Sequence, residues 1–311
     1  MFVNKKQIIN VSEEFINTRI DYWLKKNYPS FHYFFLCKLI RKGVVKINGK
    51  KCSQNTILKE NDLVRIPNIL LTKNKIEEYN ITPNLSKLVQ SWLIYKDRDI
   101  IVINKPNGLA VQGGTNIKLN LDLLLDSLKF SYPEKPKIVH RIDKDTSGLL
   151  TLARNLKMAK YLSLLFKEKK ITKLYLAIVY GRLEKNHDKI KSDIVYDGKM
   201  HFSETHFWKL NSNKNYSLLI IKPVTGRKHQ IRKHLISKKL QILGDKKYFI
   251  HKNRELNNGK TLHLHAFYFS FTDSNEKLRS FTAEIPNHFL VDLKKYGLEF
   301  REKLINFDYY T

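Results

Sequence analysis

The spacing of apolar side chains divides the chain into two parts with different habits. Up to about residue 67, apolar positions first recur at three- and four-residue intervals and then alternate. The intervals predict a helix over 13–26 with Ser12 as its N-cap, and a second over 31–42 that Gly43 stops. Val44 to Asn48 then alternates as a strand does, Asn48-Gly49 is a tight-hairpin dipeptide, and Leu58 to Ile66 supplies another short strand ended by Pro67. Residues 68–90 keep no period and contain Thr82-Pro83, which predicts a linker. From Ser91 short β-rich runs take over: Leu93 to Tyr95, Ile100 to Asn104, Leu149 to Ala153, Leu174 to Val179 and Leu218 to Ile221. Helical stretches near 155–169 and 228–238 separate some of them. Strands and helices mixed without regular βαβ alternation predict an α+β domain over 91–300, followed by a tail at 301–311. His263 and His265 alternate with leucines as core histidines on a strand would, and His251 to Lys260 reads as a polar loop.

Composition narrows the class. The 311 residues suit about two domains, and 42% hydrophobic content with 16 Tyr and 17 Phe provides a core, which excludes wholesale disorder. No run approaches the ~18 apolar residues of a membrane span. The first residues lack the apolar stretch and cleavage site of a secretory signal. Cys37 and Cys52 form neither a CxxC pair nor a zinc spacing. The expectation is a cytoplasmic, monomeric protein of a reduced compartment, with no membrane partner.

Charge points to the partner. Lys and Arg number 57 against 29 acids, a net +28. An AT-rich coding bias would also favour lysine, and only 12 of the 57 are Arg, but such a bias spreads evenly and leaves the scarcity of acids unexplained. Here the charge clusters: residues 222–247 hold nine bases and one acid. Lys38, Arg41 and Lys42 share one helix face that runs into Lys46, Lys50 and Lys51. A polyanion, most simply RNA, fits this distribution.

Candidate chemistry sits in KIVHRIDKDTSGLL, residues 137–150. An apolar lead, a polar run and a glycine returning the chain to an apolar strand are how a rigid scaffold presents reactive groups on a loop. Arg141 and Lys144, next to Asp143 in sequence, predict a carboxylate kept ionised. Spacing alone favours an ordinary polar loop whose aspartate caps a turn. His140, His229 and His234 with Asp143 and Asp145 also leave room for a metal-dependent nuclease, although Arg227, Lys228, Arg232 and Lys233 around His229 oppose a dication.

Two resemblances sharpen this reading. KLIRKGVVKINGK (38–50) followed by LKENDLVRIP (58–67) resembles the S4-type RNA-binding module over residues 12–67, so 1–67 is expected to be a small α/β module. It would read RNA backbone through Lys38, Arg41, Lys42, Lys46, Lys50 and Lys51. It departs from that pattern in the aromatic start of its second helix: Phe31, Tyr33, Phe34 and Phe35. The segment around Asp143 closely resembles the HRLDxxTSG signature of the RluA-type pseudouridine synthases, with Ile142 the one change. In family order come NKPNGL at 104–109, KLYLA at 173–177 with Gly181, TGRKHQIRKH at 225–234 and GDKKY at 244–248. Lys228 stands where the family usually has Thr, and Gln112 where it often has His, a variation associated with the large-subunit rRNA synthase C subgroup.

The resemblance implies an α+β pseudouridine synthase fold with a large mixed, mostly antiparallel sheet and flanking helices. It implies an enzyme that isomerises uridine in RNA, most simply 23S ribosomal RNA, with tRNA as the alternative substrate, after flipping the base out of its stack. No cofactor or metal is implied. Asp143 would be the covalent catalyst. Tyr175 would stack on the uracil with a part in proton transfer. Arg227 would pair with Asp143 and fill the space left by the base. RNA contacts are expected from Lys105, His140, Arg141, Lys173, Lys228, His229 and Arg232. A non-catalytic RNA-binding relative is a third reading; it predicts loss of Asp143, Tyr175 or Arg227, and all three are present.

Overall fold

A computed structural model describes residues 7–29, 31, 33–71, 81–113, 117, 119–196, 198–250 and 259–310. The chain forms two compact units, Met1–Asn80 and Ile81–Thr311.

The first unit contains β1 (Gln7–Asn10), α1 (Ile20–Asn27), α2 (Tyr33–Arg41), β2 (Lys46–Ile47), β3 (Lys50–Lys51) and β4 (Leu63–Ile66), with its strands ordered β1-β4-β2-β3. Ile20, Trp23 and Leu24 of α1 and Leu36, Leu39 and Ile40 of α2 recur at helical spacing and are all buried with Val45, Leu58, Val64 and Ile66. Asn48 and Gly49 both take positive φ (49° and 77°), as a two-residue hairpin turn requires. The first helix is shorter than the sequence suggested. Glu13–Phe15 is a single 3₁₀ turn in which the Ser12 side chain caps nothing. Asn17 at φ 62°, with the Thr18 hydroxyl bonded to the Phe15 carbonyl, breaks the chain before α1. The strand expected over 58–66 keeps only its last four residues, because Asn61 turns at φ 63° and the Asp62 carboxylate accepts from the Lys59 N–H.

The second unit comprises α3 (Pro83–Ser91), β5 (Leu93–Lys96), β6 (Ile100–Lys105), α4 (Leu121–Leu124), β7 (Lys137–Ile138), β8 (Ser147–Ala153), α5 (Leu156–Lys167), β9 (Thr172–Tyr180), β10 (His187–Tyr196), β11 (Lys199–Ser212), β12 (Tyr216–Pro223), α6 (Gln230–Ser237), β13 (Gln241–Ile242), β14 (Leu264–Thr272), β15 (Leu278–Thr282) and α7 (Asn287–Lys295). Eleven strands form one sheet in the order β10-β11-β12-β9-β14-β8-β6-β5, with β13 on β9, β15 on β14 and β7 on β8. Among the described strands only β14 and β8 pair in parallel, so the sheet is mixed and mostly antiparallel.

Three expectations change here. The stretch read as a linker contains α3: the Thr82 hydroxyl accepts from the Leu85 N–H, Pro83 opens the helix and Val89 is buried. The tail instead folds back in two 3₁₀ turns, with Phe307 stacked on Tyr268 at 4.3 Å and Tyr310 edge-on to Trp208 at 5.1 Å. The long pair β10–β11 was not foreseen. Most of the expected polar loop, residues 251–258, lies outside the described residues. Among the described residues no helix is long and apolar enough to cross a membrane.

Candidate active site

The loop between β7 and β8 carries Asp143, and four fixings hold it. Lys105, at the end of β6, is fully buried; its ammonium donates to the carbonyls of Pro106 and Leu109 at 2.8 Å and of Lys144 at 3.2 Å. The Asn107 amide donates to the Asp145 carbonyl. His140 Nε2 accepts the Thr151 N–H at 2.9 Å, and Ser147 Oγ meets His265 Nδ1 at 2.9 Å. Gly148 then lets β8 run against β14: a Cβ there would lie 2.2 Å from the Ala266 carbonyl oxygen, and its φ of 108° suits only glycine.

A second loop, 224–229, faces the first. Gln230 organises it: its side-chain oxygen accepts from the Arg227 N–H and the Thr225 hydroxyl, and its amide donates to the Glu204 carbonyl and Thr205 Oγ1. His229 follows in left-handed backbone (φ 55°), and its Nδ1 pairs with the Tyr248 hydroxyl at 2.9 Å. Arg232, one turn into α6, is bound by both carboxylate oxygens of Asp245 at 2.7 and 2.6 Å, with 5% and 1% of the two side chains exposed. Between the loops opens a cavity of about 260 Å³, lined by Asp143, Tyr175, Arg227, His229, Arg232 and Lys173 among others. It is close to the ~300 Å³ lower end for small-ligand pockets, room for one planar ring rather than a dinucleotide.

Burial dominates its electrostatics. Burial raises the Asp143 pKa from the ordinary carboxylate value, against the opposing pull of Arg232, Arg141 and Lys105. Arg141 does favour the ionised form, as its place in the sequence suggested, and burial works against it. His229 Nε2 approaches Asp143 Oδ1 at 3.9 Å, yet burial and the nearby Arg232, Lys247 and Lys228 lower its pKa to about 4. Burial, then the charge of Asp143, raises the Tyr175 phenol. A half-buried carboxylate beside a tyrosine and several cations can act as a nucleophile on a ring or sugar carbon.

Against this geometry, a model of the family described as RNA pseudouridylate synthase matches residues 99–237. "Ribosomal large subunit pseudouridine synthase C" of Buchnera aphidicola subsp. Baizongia pistaciae is 34% identical over 78% of this chain and 81% of its own. The protein of the same name from Rickettsia typhi is 34% identical over 87% and 95%. The chain belongs to the RluA-type family of RNA pseudouridine synthases. The solved structure of human RNA Pseudouridylate Synthase Domain Containing 4 agrees: 25% identity, TM-score 0.60, covering 70% of this chain and 97% of that one. The synthase is thus an isomerase acting on RNA.

Several side chains of the synthase lie elsewhere than expected. Arg227 does not pair with Asp143; its Nε donates to the Phe202 carbonyl at 3.1 Å, because the backbone bonds of Val224 and Thr225 to Glu204 draw this loop onto β11. Lys105 is a buried clamp, not an RNA contact. Its ammonium pKa falls to about 7, with burial opposed by Asp145 and Asp143. His140 is stacked on Phe166 (4.7 Å) and Phe269 (5.5 Å), its Nε2 is occupied by a backbone donor, and burial lowers its pKa to about 3. It is a neutral scaffold ring. Arg232 lines the cavity with its guanidinium paired to Asp245. His234 lies in a hydroxyl network of Ser203 and Thr205, both at 2.9 Å, so the histidines of the nuclease reading do not converge. Arg141 and Lys228 are exposed and Lys173 is half-buried on the cavity wall.

In the first unit Lys38, Arg41, Lys42, Lys50 and Lys51 are exposed and Lys46 is half-buried. Lys51, Lys46 and Arg65 stand in register across three neighbouring strands. Arg65 was missed by the sequence reading; its alternation with Val64 and Ile66 was the available signal. Like charges directly opposite one another destabilise a sheet unless an anion lies across them.

Proposed function

We propose that this synthase converts uridines of 23S large-subunit ribosomal RNA to pseudouridine through covalent catalysis by Asp143 on a flipped base. The observation that carries the reading is Asp143 itself, on a loop held by four fixings and lining a ring-sized cavity with Tyr175 on its wall. The name of the relatives supplies the RNA class. Unstacking the target costs a few kcal/mol, met by basic and aromatic contacts. Asp143 attacks the ribose C1′ or the ring C6, the C1′–N1 bond breaks, the uracil turns and C1′ bonds to C5. The C5 proton leaves and N1 gains one, so no redox partner or group donor takes part. Tyr175 stacks on the ring and assists proton transfer. Arg227, free of Asp143 and exposed at the rim, meets the RNA around the vacated position. Residues 1–67 act as an S4-like module that grips backbone phosphates through the Lys51–Lys46–Arg65 row and the Lys38, Arg41, Lys42 helix face. Ribosomal RNA as substrate puts the enzyme in the cytoplasm.

Pseudouridine mapping of RNA from cells lacking this gene tests the substrate. The proposal expects particular sites to disappear from large-subunit rRNA and to return with the wild-type gene. Loss confined to tRNA would overturn it.

A further inference from the structure

Among the described residues, one cation on the cavity wall has no acid paired with it. Lys173 lies on β9 two residues before Tyr175, so the two side chains share a face about 6.6 Å apart along the strand. Both line the cavity, Lys173 at the end closed by Phe166 and His140: its ammonium is 5.8 Å from the Phe166 ring centre, and its charge acts on His140. Asp143 acts on Tyr175, whereas burial is the single influence resolved on Lys173, and it lowers that pKa. Along β9, Lys173 therefore stands beside Phe166, two residues from Tyr175, on the wall of the cavity that Asp143 also lines. A half-buried ammonium without a carboxylate among the described residues calls for an acceptor that arrives with the ligand.

We infer that Lys173 is the specificity-determining residue for uracil, donating to the ring carbonyl oxygen O4. This rests on the reading of the cavity as the target-uridine site. With N1 and C6 at Asp143 and the ring face on Tyr175, the far edge of the ring is C4=O4, which reaches toward Lys173. Cytosine carries an amino group at C4. Its N–H donors would face the Lys173 donors across a desolvated gap, and a site built for an acceptor rejects a ligand that lacks one. The chemistry thus selects uridine over cytidine where stacking alone cannot.

The test uses the full chain and an RNA oligonucleotide spanning a uridine identified by the mapping above, with 4-thiouridine, a poorer acceptor at that position, as the paired substrate. Conversion is read by nucleoside chromatography. The wild type should prefer uridine by about tenfold or more. Lys173→Met should lower kcat/KM on uridine by about tenfold to a hundredfold, the range for a charged hydrogen bond, and bring the uridine-to-thiouridine ratio near one. Lys173→Arg should restore part of the ratio. An equal loss on both substrates would make Lys173 a phosphate contact or a scaffold residue and overturn the inference, as would a silent substitution. If the Met variant does not fold, Lys173→Gln is read by the same ratio. Absence of wild-type turnover on uridine would instead overturn the reading of the cavity.

Discussion

Breaking the Arg232–Asp245 pair should damage stability and chemistry together, and the two effects can be read separately. Both side chains are nearly sealed from solvent, joined by two bonds of 2.7 and 2.6 Å, and Asp245 also accepts the N–H groups of Lys247 and Tyr248 at 2.9 Å. Removing one partner of such a pair strands a buried charge, at a cost of about 3–5 kcal/mol. At ~2–4 °C per kcal/mol for a domain of this size, Arg232→Met should lower Tm by roughly 6–20 °C. Arg232→Met with Asp245→Asn removes both charges and keeps an acceptor for the two backbone donors, so it should recover at least ~1–2 kcal/mol over the single variant. Arg232 is also the first of the cations that hold Asp143 down. Without it the Asp143 pKa rises further, and the acid limb of kcat/KM moves to higher pH. Thermal unfolding and tritium release from [5-³H]uridine RNA across pH give the two readouts. A single-variant loss under ~1 kcal/mol, or a double variant no more stable than the single, would refute the account of this pair.

Asp143→Asn should stabilise the fold at neutral pH, because burial raises the folded pKa of Asp143 above its unfolded value and ionisation therefore costs stability. The wild type holds that contribution while protonated and loses it as pH rises through the folded pKa, so the advantage of Asn should shrink on acidification; an advantage that grows instead would reverse the assignment. Tyr175→Phe removes a phenol beside Asp143 and keeps the stacking face; turnover should fall by roughly tenfold to a thousandfold with little change in RNA affinity. A silent Phe variant would reduce Tyr175 to stacking. A fragment of residues 81–311 should convert short RNA at high concentration but lose efficiency on long RNA, with a shallower dependence of binding on salt (about 0.7 log unit per counterion on single strands). Equal slopes would mark the Lys51–Lys46–Arg65 row as solvated charge.

The sequence was most informative where burial is complete and local signals agree. Ile100 to Ile103 and Leu149 to Ala153 are unbroken buried runs, and Asn155 caps α5 by accepting from the Met158 N–H, so strands and helix fell near their expected bounds. The pair β10–β11 was illegible because Ser203 and Thr205 occupy inward positions, satisfied by His234 from a helix far along the chain. Thr82-Pro83 reads alike as a loop breaker or as a cap with its first helical residue; the burial of Val89 decides, and no local pattern reveals it. At the site, the family motifs marked Asp143, Tyr175, Arg227, His229 and Arg232, which converge on one cavity. Which way each cation points was not legible. Lys105 and Arg232 turn inward to carbonyls and a carboxylate contributed by other segments, and Arg227 turns to β11. The state of Asp143 likewise depends on burial, which its charged sequence neighbours do not reveal.

If Asp143 performs the isomerisation, tritium release by Asp143→Ala beside the wild type should reveal it. The variant should bind the RNA within about tenfold of wild type, since the basic surfaces are untouched, a difference under ~1.4 kcal/mol. Its turnover should be undetectable. Folded, RNA-binding Asp143→Ala protein that releases tritium at more than about a hundredth of the wild-type rate would contradict the account.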